Sequence, residues 1–337
     1  MIAPRPIAIA RLAACLALLA AAPAYAQSPP PNTAKTLGAA SAPPAADESA
    51  VVQELLVVGR RPGPALWRVT RGDSEVVILG GLSPIPHSLQ WDHIRVEHAL
   101  QDAAILFLPP STVRIGLFDA AGMFLRQGAL KPAHGVDMET TLPPDLRARF
   151  DKARDGLHLD PKRYQHWKPA VAGLLLLGDF RRAAGLSEDK PGTTVARLAH
   201  AAHAEVRVVG EFKAKPLFDA AARMSDAQHL VCLSAALDDI DFEAAHAAPA
   251  AAAWAVGDLK GVRENTSGSL LDRCLLQLPS VQSVLEQGTR EAVSTIDGAL
   301  SRPGASVAVI DLTFLLRRNG VLDRLKAQGA QITVPTE

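Results

Sequence analysis

A loop at residues 80–86 carries the side chains best placed for chemistry. It reads GGLSPIP and follows a run of strand-forming residues, so its two glycines let the chain turn sharply as it leaves the strand. In α/β proteins, ligands bind where such loops meet beyond the carboxyl ends of strands. The loop offers Ser83 as a reactive side chain, with His87 four positions further on. This pattern predicts a functional loop.

Ser83 does not lie in the nucleophile motif of serine hydrolases. That motif, Gly-x-Ser-x-Gly, uses the backbone N–H after the serine to form the oxyanion hole. Here Pro84 follows, which has no N–H, and Ile85 stands where the motif needs its second glycine. The sequence therefore disfavours a serine hydrolase of this kind.

Asp311 is a second candidate because it interrupts an apolar run at residues 305–314. A carboxylate in a buried strand must be hydrogen-bonded or functional. The simpler interpretation is that Asp311 caps a neighbouring helix or loop. The alternative is that it converges with Ser83, His87 and Thr313 in one crevice.

The spacing of the histidines does not predict a metal site. His93 and His98 are five residues apart and do not share a helix face, and His200 and His203 lack a carboxylate on their face. We interpret the acidic run at 238–243 as a solvated helix face. The sequence has no phosphate-binding glycine loop and no dinucleotide motif, so no cofactor is predicted.

The amino terminus has the pattern of a secretory signal peptide. Two arginines accompany the apolar run LAACLALLAAAPAYA, and small residues at its end predict cleavage after Ala26. The run is shorter than the roughly 20 apolar residues that a membrane-spanning helix needs. Lipoprotein processing at Cys15 is the weaker alternative, because it would leave LALLAAA on the mature chain. We expect a periplasmic or secreted protein without a transmembrane segment.

Cleavage after Ala26 leaves two cysteines, Cys232 and Cys274. An oxidising compartment permits a disulfide between them. The alternative is two separate buried thiols, which pack as small hydrophobic side chains. Two cysteines without paired histidines do not make a zinc site.

Composition divides the chain into three parts. Residues 1–26 are the predicted signal peptide, residues 27–63 a Pro- and Ala-rich tether expected to be disordered, and residues 64–337 the folded domain. The formal net charge is zero, which gives no electrostatic argument for nucleic acid as a partner.

Strand patterns cluster at both ends of the domain, with helical patterns between them. We predict a mixed α/β fold, in which strands from both ends form one central mixed sheet and the helical middle packs around it. Within that middle, Pro169 is expected to kink a helix, and Thr193 or Thr194 to cap the next one.

Five segments resemble the TraB/GumN family, also called the PrgY or Tiki-like superfamily. ALWRVTRGDSEVVILGGLSPIP is similar to the family's opening hairpin and the loop that follows it, and HWKPAVAGLLLL to its Lys-Pro helix. VVGEFKAKPLFDAAARMSDAQHLVCL and AAWAVGDLKGV are similar to its later helical segments. SVAVIDLTFLLRRNGVLDRLKAQGAQITVP resembles its closing strand, helix and final strand. The resemblance covers about residues 64–336.

The resemblance implies a metal site whose ligands this chain lacks. Family members with proposed hydrolase or metalloprotease activity carry two Gly-x-x-His motifs and a glutamate at a strand end. In the first motif Gly80 is kept, but the histidine position is Ser83. In the second, the glycine and histidine positions are Ile310 and Thr313. Hydroxyl groups are poor substitutes for imidazole as metal ligands.

Two further family positions also differ. The glutamate position falls at Leu108 or Pro109, and an Arg-Asn pair of the family appears as Arg290-Glu291. The resemblance therefore implies the family fold without the family's proposed catalysis.

The function expected from these substitutions is that of a catalytically degenerate binding or regulatory module of the cell envelope. Its ligand would be a peptide, an envelope protein or a small molecule, held in a crevice formed by Ser83, His87, Asp311 and Thr313. A hydrolase with rearranged chemistry at that crevice is one alternative, and a structural envelope protein is another.

Overall fold

The computed structural model describes residues 63–110, 113–114, 125–187, 190–210 and 212–335. The predicted signal peptide with its cleavage site, Cys15, and all of the predicted tether except its last residue lie outside these ranges. None of the helices in the described ranges is both long and apolar enough to cross a membrane.

The described strands are β1 Leu66–Arg71, β2 Ser74–Gly81, β3 Ile85–Pro86, β4 Ala103–Leu108, β5 Val113–Arg114, β6 Leu186–Ser187, β7 Glu205–Val208, β8 Phe212–Lys213, β9 Gly304–Asp311 and β10 Gln331–Thr333. Six of them form the central sheet, in the order β10-β1-β2-β9-β4-β7. Three neighbouring pairs are parallel: β2 with β9, β9 with β4, and β4 with β7. Strand β1 is antiparallel to both β2 and β10. The other four strands form two short pairs, β3 with β6 and β5 with β8.

The sequence explains the two central strands of this sheet. β2 and β9 are nearly continuous apolar runs, as expected for parallel strands that are covered on both faces. The β1–β2 hairpin closes at Gly72, whose φ of 57° lies in the left-handed region that glycine adopts without steric cost. The predicted mixed sheet and its helical surroundings are confirmed.

The described α-helices are α1 Ile94–Gln101, α2 Pro144–Asp155, α3 Pro169–Ala183, α4 Lys190–Ala201, α5 Ala214–Ala222, α6 Asp226–Ala255, α7 Leu259–Glu264, α8 Ser269–Arg273, α9 Pro279–Leu300, α10 Leu312–Leu316 and α11 Val321–Ala327. Short 3-10 helices lie at Gln127–Leu130, Met138–Thr141, Pro161–Arg163 and Leu275–Gln277.

Helix α6 connects two hydrophobic cores. Its carboxyl-terminal part, including Trp254, packs in the core around the sheet. Its amino-terminal part, including Leu233 and Ile240, packs in a second core formed by the helical middle. The helix begins at a capping box, in which the side chains and backbone amides of Ser225 and Gln228 bond reciprocally.

Three local expectations about helices were wrong. Pro169 does not kink a helix but is the first residue of α3, where its missing N–H costs nothing. Helix α4 begins at Lys190, so Thr193 and Thr194 lie inside the helix and do not cap it. The acidic run is not wholly solvated, because the Asp239 side chain is only 5% exposed.

Candidate functional site

The carboxyl ends of β2 and β9 bring Ser83 and Thr313, the two positions at which the resemblance predicts substituted histidines, to the same edge of the sheet. Gly80 is paired in register with Ile310, and Gly81 with Asp311. Ser83 lies three residues after Gly80, and Thr313 lies three residues after Ile310. Both side chains are exposed and line one cavity of about 660 Å³, here called the Ser83 cavity.

Gly80 is fixed at this edge by close packing against Leu312 and Trp67. A Cβ atom at this position would lie 2.4 Å from Leu312 Cδ2 and 2.7 Å from Trp67 Cζ3. The Gly80 carbonyl accepts a hydrogen bond of 2.7 Å from the indole N–H of Trp254, at the end of α6. The glycine is therefore needed for packing, whatever chemistry follows it in the loop.

Asp311 lies between the sheet and α10. Its carboxylate accepts a hydrogen bond of 2.8 Å from the Thr313 amide and so caps the amino terminus of α10. Burial raises the pKa of Asp311 above its ordinary value, although the hydrogen bonds from Thr313 and the Phe314 amide act in the opposite direction. The side chain lines the Ser83 cavity and also a second, smaller cavity.

The helical middle supplies the polar wall of the Ser83 cavity. Arg181 on α3 forms a bidentate ion pair with Glu243 on α6, with N–O distances of 2.6 and 2.9 Å. The side-chain oxygen of Asn265 accepts a 2.8 Å hydrogen bond from His246 Nδ1, and its side-chain NH2 donates to the Gly261 carbonyl. The cavity therefore presents an ordered set of charges and amides opposite the Ser83 loop.

Two attachments hold the segment that closes this wall, residues 265–275. The buried Asp239 carboxylate accepts hydrogen bonds of 3.0 Å from the amides of Ser269 and Leu270. A disulfide joins Cys232 on α6 to Cys274 just after α8, with a Cα–Cα distance of 4.9 Å. Of the two alternatives for these cysteines, the structure has the disulfide.

The second cavity, about 280 Å³, lies on the other side of β9 and is here called the Pro109 cavity. Pro109 and Ile310 line it, whereas Ser83 and Thr313 line the Ser83 cavity. The positions that the family resemblance predicts for the metal site thus line two cavities, both of which Asp311 lines.

Among the candidate residues from the sequence, Gly80, Leu108, His87 and Arg290 line neither cavity. His87 is exposed, and its backbone N–H donates to the Gly185 carbonyl. Arg290 is exposed on α9 and pairs with Glu286 at 3.3 Å. Within the described ranges, no group of three His, Cys, Asp or Glu side chains is arranged to hold a metal ion.

Sequence reasoning missed the polar wall of the Ser83 cavity and the carboxylate of Glu291 in the Pro109 cavity. A signal for the wall was available. Asp239 and Glu243 are four residues apart on α6, so they lie on one helix face, next to the buried Ile240. Two carboxylates on a helix face next to buried apolar residues indicate that the carboxylates themselves contact other parts of the protein.

The fold, a mixed sheet whose parallel strands end at two cavities, defines an α/β protein with its candidate site at the carboxyl edge of the sheet. The family model of the TraB/PrgY/gumN family matches residues 65–334. The chain therefore belongs to this family. Neither the curated proteins nor the solved structures include a significant match to it.

Proposed function

We propose that this chain is a periplasmic or secreted member of the family that works by binding, as a regulatory module of the cell envelope. Its residues 1–26 would be removed as a signal peptide. Residues 27–63 would form a tether, and residues 64–337 the binding domain. The ligand would occupy the Ser83 cavity and would be a peptide, a segment of an envelope protein or a small molecule.

One observation carries this proposal. The two positions at which enzyme-like family members have histidine bear the hydroxyl groups of Ser83 and Thr313, and both open into a cavity of about 660 Å³. That volume lies within the range of about 300–1,000 Å³ that small-molecule sites have. Hydroxyl groups donate and accept hydrogen bonds but coordinate divalent metals weakly. The edge is thus suited to holding a ligand.

The composition of the cavity also supports binding. Leucine side chains, among them Leu177 and Leu270, form apolar surface beside the Arg181–Glu243 pair. Arg263 lines the same cavity, and within the described ranges it has no ion-pair partner. Apolar walls with a few fixed polar groups are the usual composition of a specific ligand site.

A rearranged hydrolase has less support. Ser83, Asp311 and Thr313 share the cavity, but His87, the histidine expected in the crevice, does not line it. A serine hydroxyl without a neighbouring base is a weak nucleophile.

The experiment uses a cavity-filling variant that should not unfold the protein. Gly178 on α3 lines the Ser83 cavity, and a Cβ there would meet nothing within 4 Å. Because leucine favours a helix over glycine, Gly178→Leu fills the cavity without loss of helix stability. Gly298 on α9 is equally open but lines neither cavity, so Gly298→Leu is the matched control.

Each protein is immobilised and offered a pool of short peptides and an envelope extract, and retained ligands are identified by mass spectrometry. We expect the wild type and Gly298→Leu to retain the same ligands, and Gly178→Leu to retain roughly tenfold less of them. Equal retention by all three, or no retention by the wild type, would contradict binding at this cavity. A stoichiometric divalent metal, with peptide cleavage abolished by Ser83→Ala, would instead establish the hydrolase.

A further inference from the structure

The Pro109 cavity is a separate space at the carboxyl edge of the sheet. The ends of β4 and β9 form its floor, and α9 covers it from one side. Asp311 lines both this cavity and the Ser83 cavity, so the two cavities meet at that residue. Crevices outside the ends of parallel strands are the usual ligand sites of α/β sheets.

Apolar side chains form most of the walls. Phe107, Val209, Leu285 and Phe314 line the cavity, together with Ile310. Its volume of about 280 Å³ is close to the lower end of the range for small-molecule sites, about 300 Å³. Such a space suits one compact apolar group, of the size of an aromatic ring.

Two acidic residues line this apolar space, Asp311 and Glu291. Both are half-buried, and neither forms an ion pair within the described residues. None of the described residues that line the cavity is a lysine, arginine or histidine. A bound cation would therefore be the only positive charge beside these carboxylates among the described lining residues, in surroundings of low polarity where ion pairing is strongest.

The Glu291 carboxylate is held in place. It accepts a 2.7 Å hydrogen bond from the side-chain amide of Gln287, one turn earlier on α9. On its other side it lies against the backbone of Gly210, where an added Cβ would come within 2.1 Å of Glu291 Oε2. A carboxylate fixed in this way loses little conformational entropy when it binds a ligand.

We propose that the Pro109 cavity binds a small organic ammonium ion with an apolar body. The ammonium group pairs with the carboxylates of Glu291 and Asp311, and the apolar body packs against Phe107 and Phe314, whose ring faces also attract cations. This site is distinct from the Ser83 cavity and does not depend on the function proposed for that cavity.

The test is an NMR titration with benzylamine, compared with its neutral counterpart benzyl alcohol. We expect the wild type to bind benzylamine with a Kd on the order of 1 mM, as a ligand of this size allows. We expect benzyl alcohol, and benzylamine with Glu291→Gln, to bind at least about tenfold more weakly.

The controls separate this site from the other cavity and from general effects on α9. Glu286→Gln removes a carboxylate from the same helix outside the cavity, and should bind benzylamine as the wild type does. Gly288→Leu adds a side chain at a lining position where a Cβ meets nothing within 4 Å, and should abolish binding, whereas Gly178→Leu should not. The proposal is overturned if benzylamine does not saturate the protein, if benzyl alcohol binds equally well, or if Gly288→Leu or Glu291→Gln binds like the wild type.

Discussion

At the scale of single residues, the carboxyl edge of the sheet combines a closely packed glycine with an exposed serine. Gly80 keeps its place because Leu312 and Trp67 leave no room for a side chain. Ser83, three residues later, is exposed, so packing places no such limit on its type. Packing therefore restricts the residue type at Gly80 and leaves it free at Ser83.

The packing around Gly80 predicts that Gly80→Ala is destabilising. The new methyl group would overlap Leu312 and Trp67, and overpacking a core costs about 1–3 kcal/mol. Urea unfolding measures the loss. Gly178→Ala is the control, because its methyl group meets open space in a helix and should leave stability equal or slightly higher. Equal stability of Gly80→Ala and wild type would contradict the packing argument.

His229 predicts a pH dependence of stability. Its side chain is 1% exposed, and neither ring nitrogen has a hydrogen-bond partner within the described residues. Burial, with a contribution from Lys168, lowers the pKa of His229 to about 4 from its ordinary value of 6.5. Between these two values the unfolded chain binds a proton that the folded chain does not. The folded state therefore loses stability as the pH falls from 6.5 towards 4.

The loss attributable to His229 should reach about 3 kcal/mol near pH 4, at about 1.4 kcal/mol per pKa unit. Urea unfolding at several pH values measures it. His229→Leu should show a flatter dependence in this window, while replacement of the exposed His200 by leucine should leave the wild-type slope. If the stability of His229→Leu depends on pH as steeply as that of the wild type, a group other than His229 causes the pH dependence.

At the scale of elements, the Ser83 cavity depends on one short segment. Helix α8 and the residues around it contribute much of the polar wall, yet α8 is only five residues long. A helix of this length is not stable by itself. Its attachments to α6, through the Asp239 carboxylate and the disulfide, therefore keep the wall in place.

The disulfide predicts a measurable loss of stability on its removal. The bond closes a loop with a sequence separation of 42 residues, for which the chain-entropy relation gives a stabilisation of about 4 kcal/mol. The double variant Cys232→Ala/Cys274→Ala should lose up to that amount in urea unfolding, and limited proteolysis should cut first within residues 265–275. A reducing agent should destabilise the wild type and leave the variant unchanged. Insensitivity of the wild type to reduction would contradict this role.

At the scale of the whole molecule, α6 makes the two hydrophobic cores interdependent. Neither core is complete without it, since its two halves contribute buried residues to different cores. Separate unfolding of one core would expose one half of a continuous helix. The fold should therefore behave as one cooperative unit despite its two cores.

We expect a chain that begins at Gly63 to unfold in a single thermal transition. Calorimetric and van't Hoff enthalpies should agree, as they do for a two-state domain. The full-length mature chain serves as the comparison and should unfold at the same temperature, because the proposed tether adds no buried core. Two resolved transitions would show that the cores unfold separately, and a lower midpoint for the shorter chain would show that the tether belongs to the domain.

The sequence predicted the individual strands and helices better than the contacts between them. β2 and β9 were evident because uninterrupted apolar runs bounded by Gly and Pro indicate buried strands. The pairing of Gly80 with Ile310 depends on contacts between residues that are 230 positions apart, which local patterns do not encode. That Glu243 and Glu291 line cavities was missed for the same reason. A charged residue on a helix looks solvated until the facing element is known.

The hydrogen bond between the Trp254 indole and the Gly80 carbonyl has an optical consequence. Three of the four tryptophans, Trp67, Trp91 and Trp254, lie together at this point, with the rings of Trp91 and Trp254 5.3 Å apart. Indole emission depends on polarity and hydrogen bonding, and rings this close exchange excitation energy. Gly80 begins the loop that bears Ser83, so a molecule entering the Ser83 cavity should change the protein's own fluorescence without any added dye.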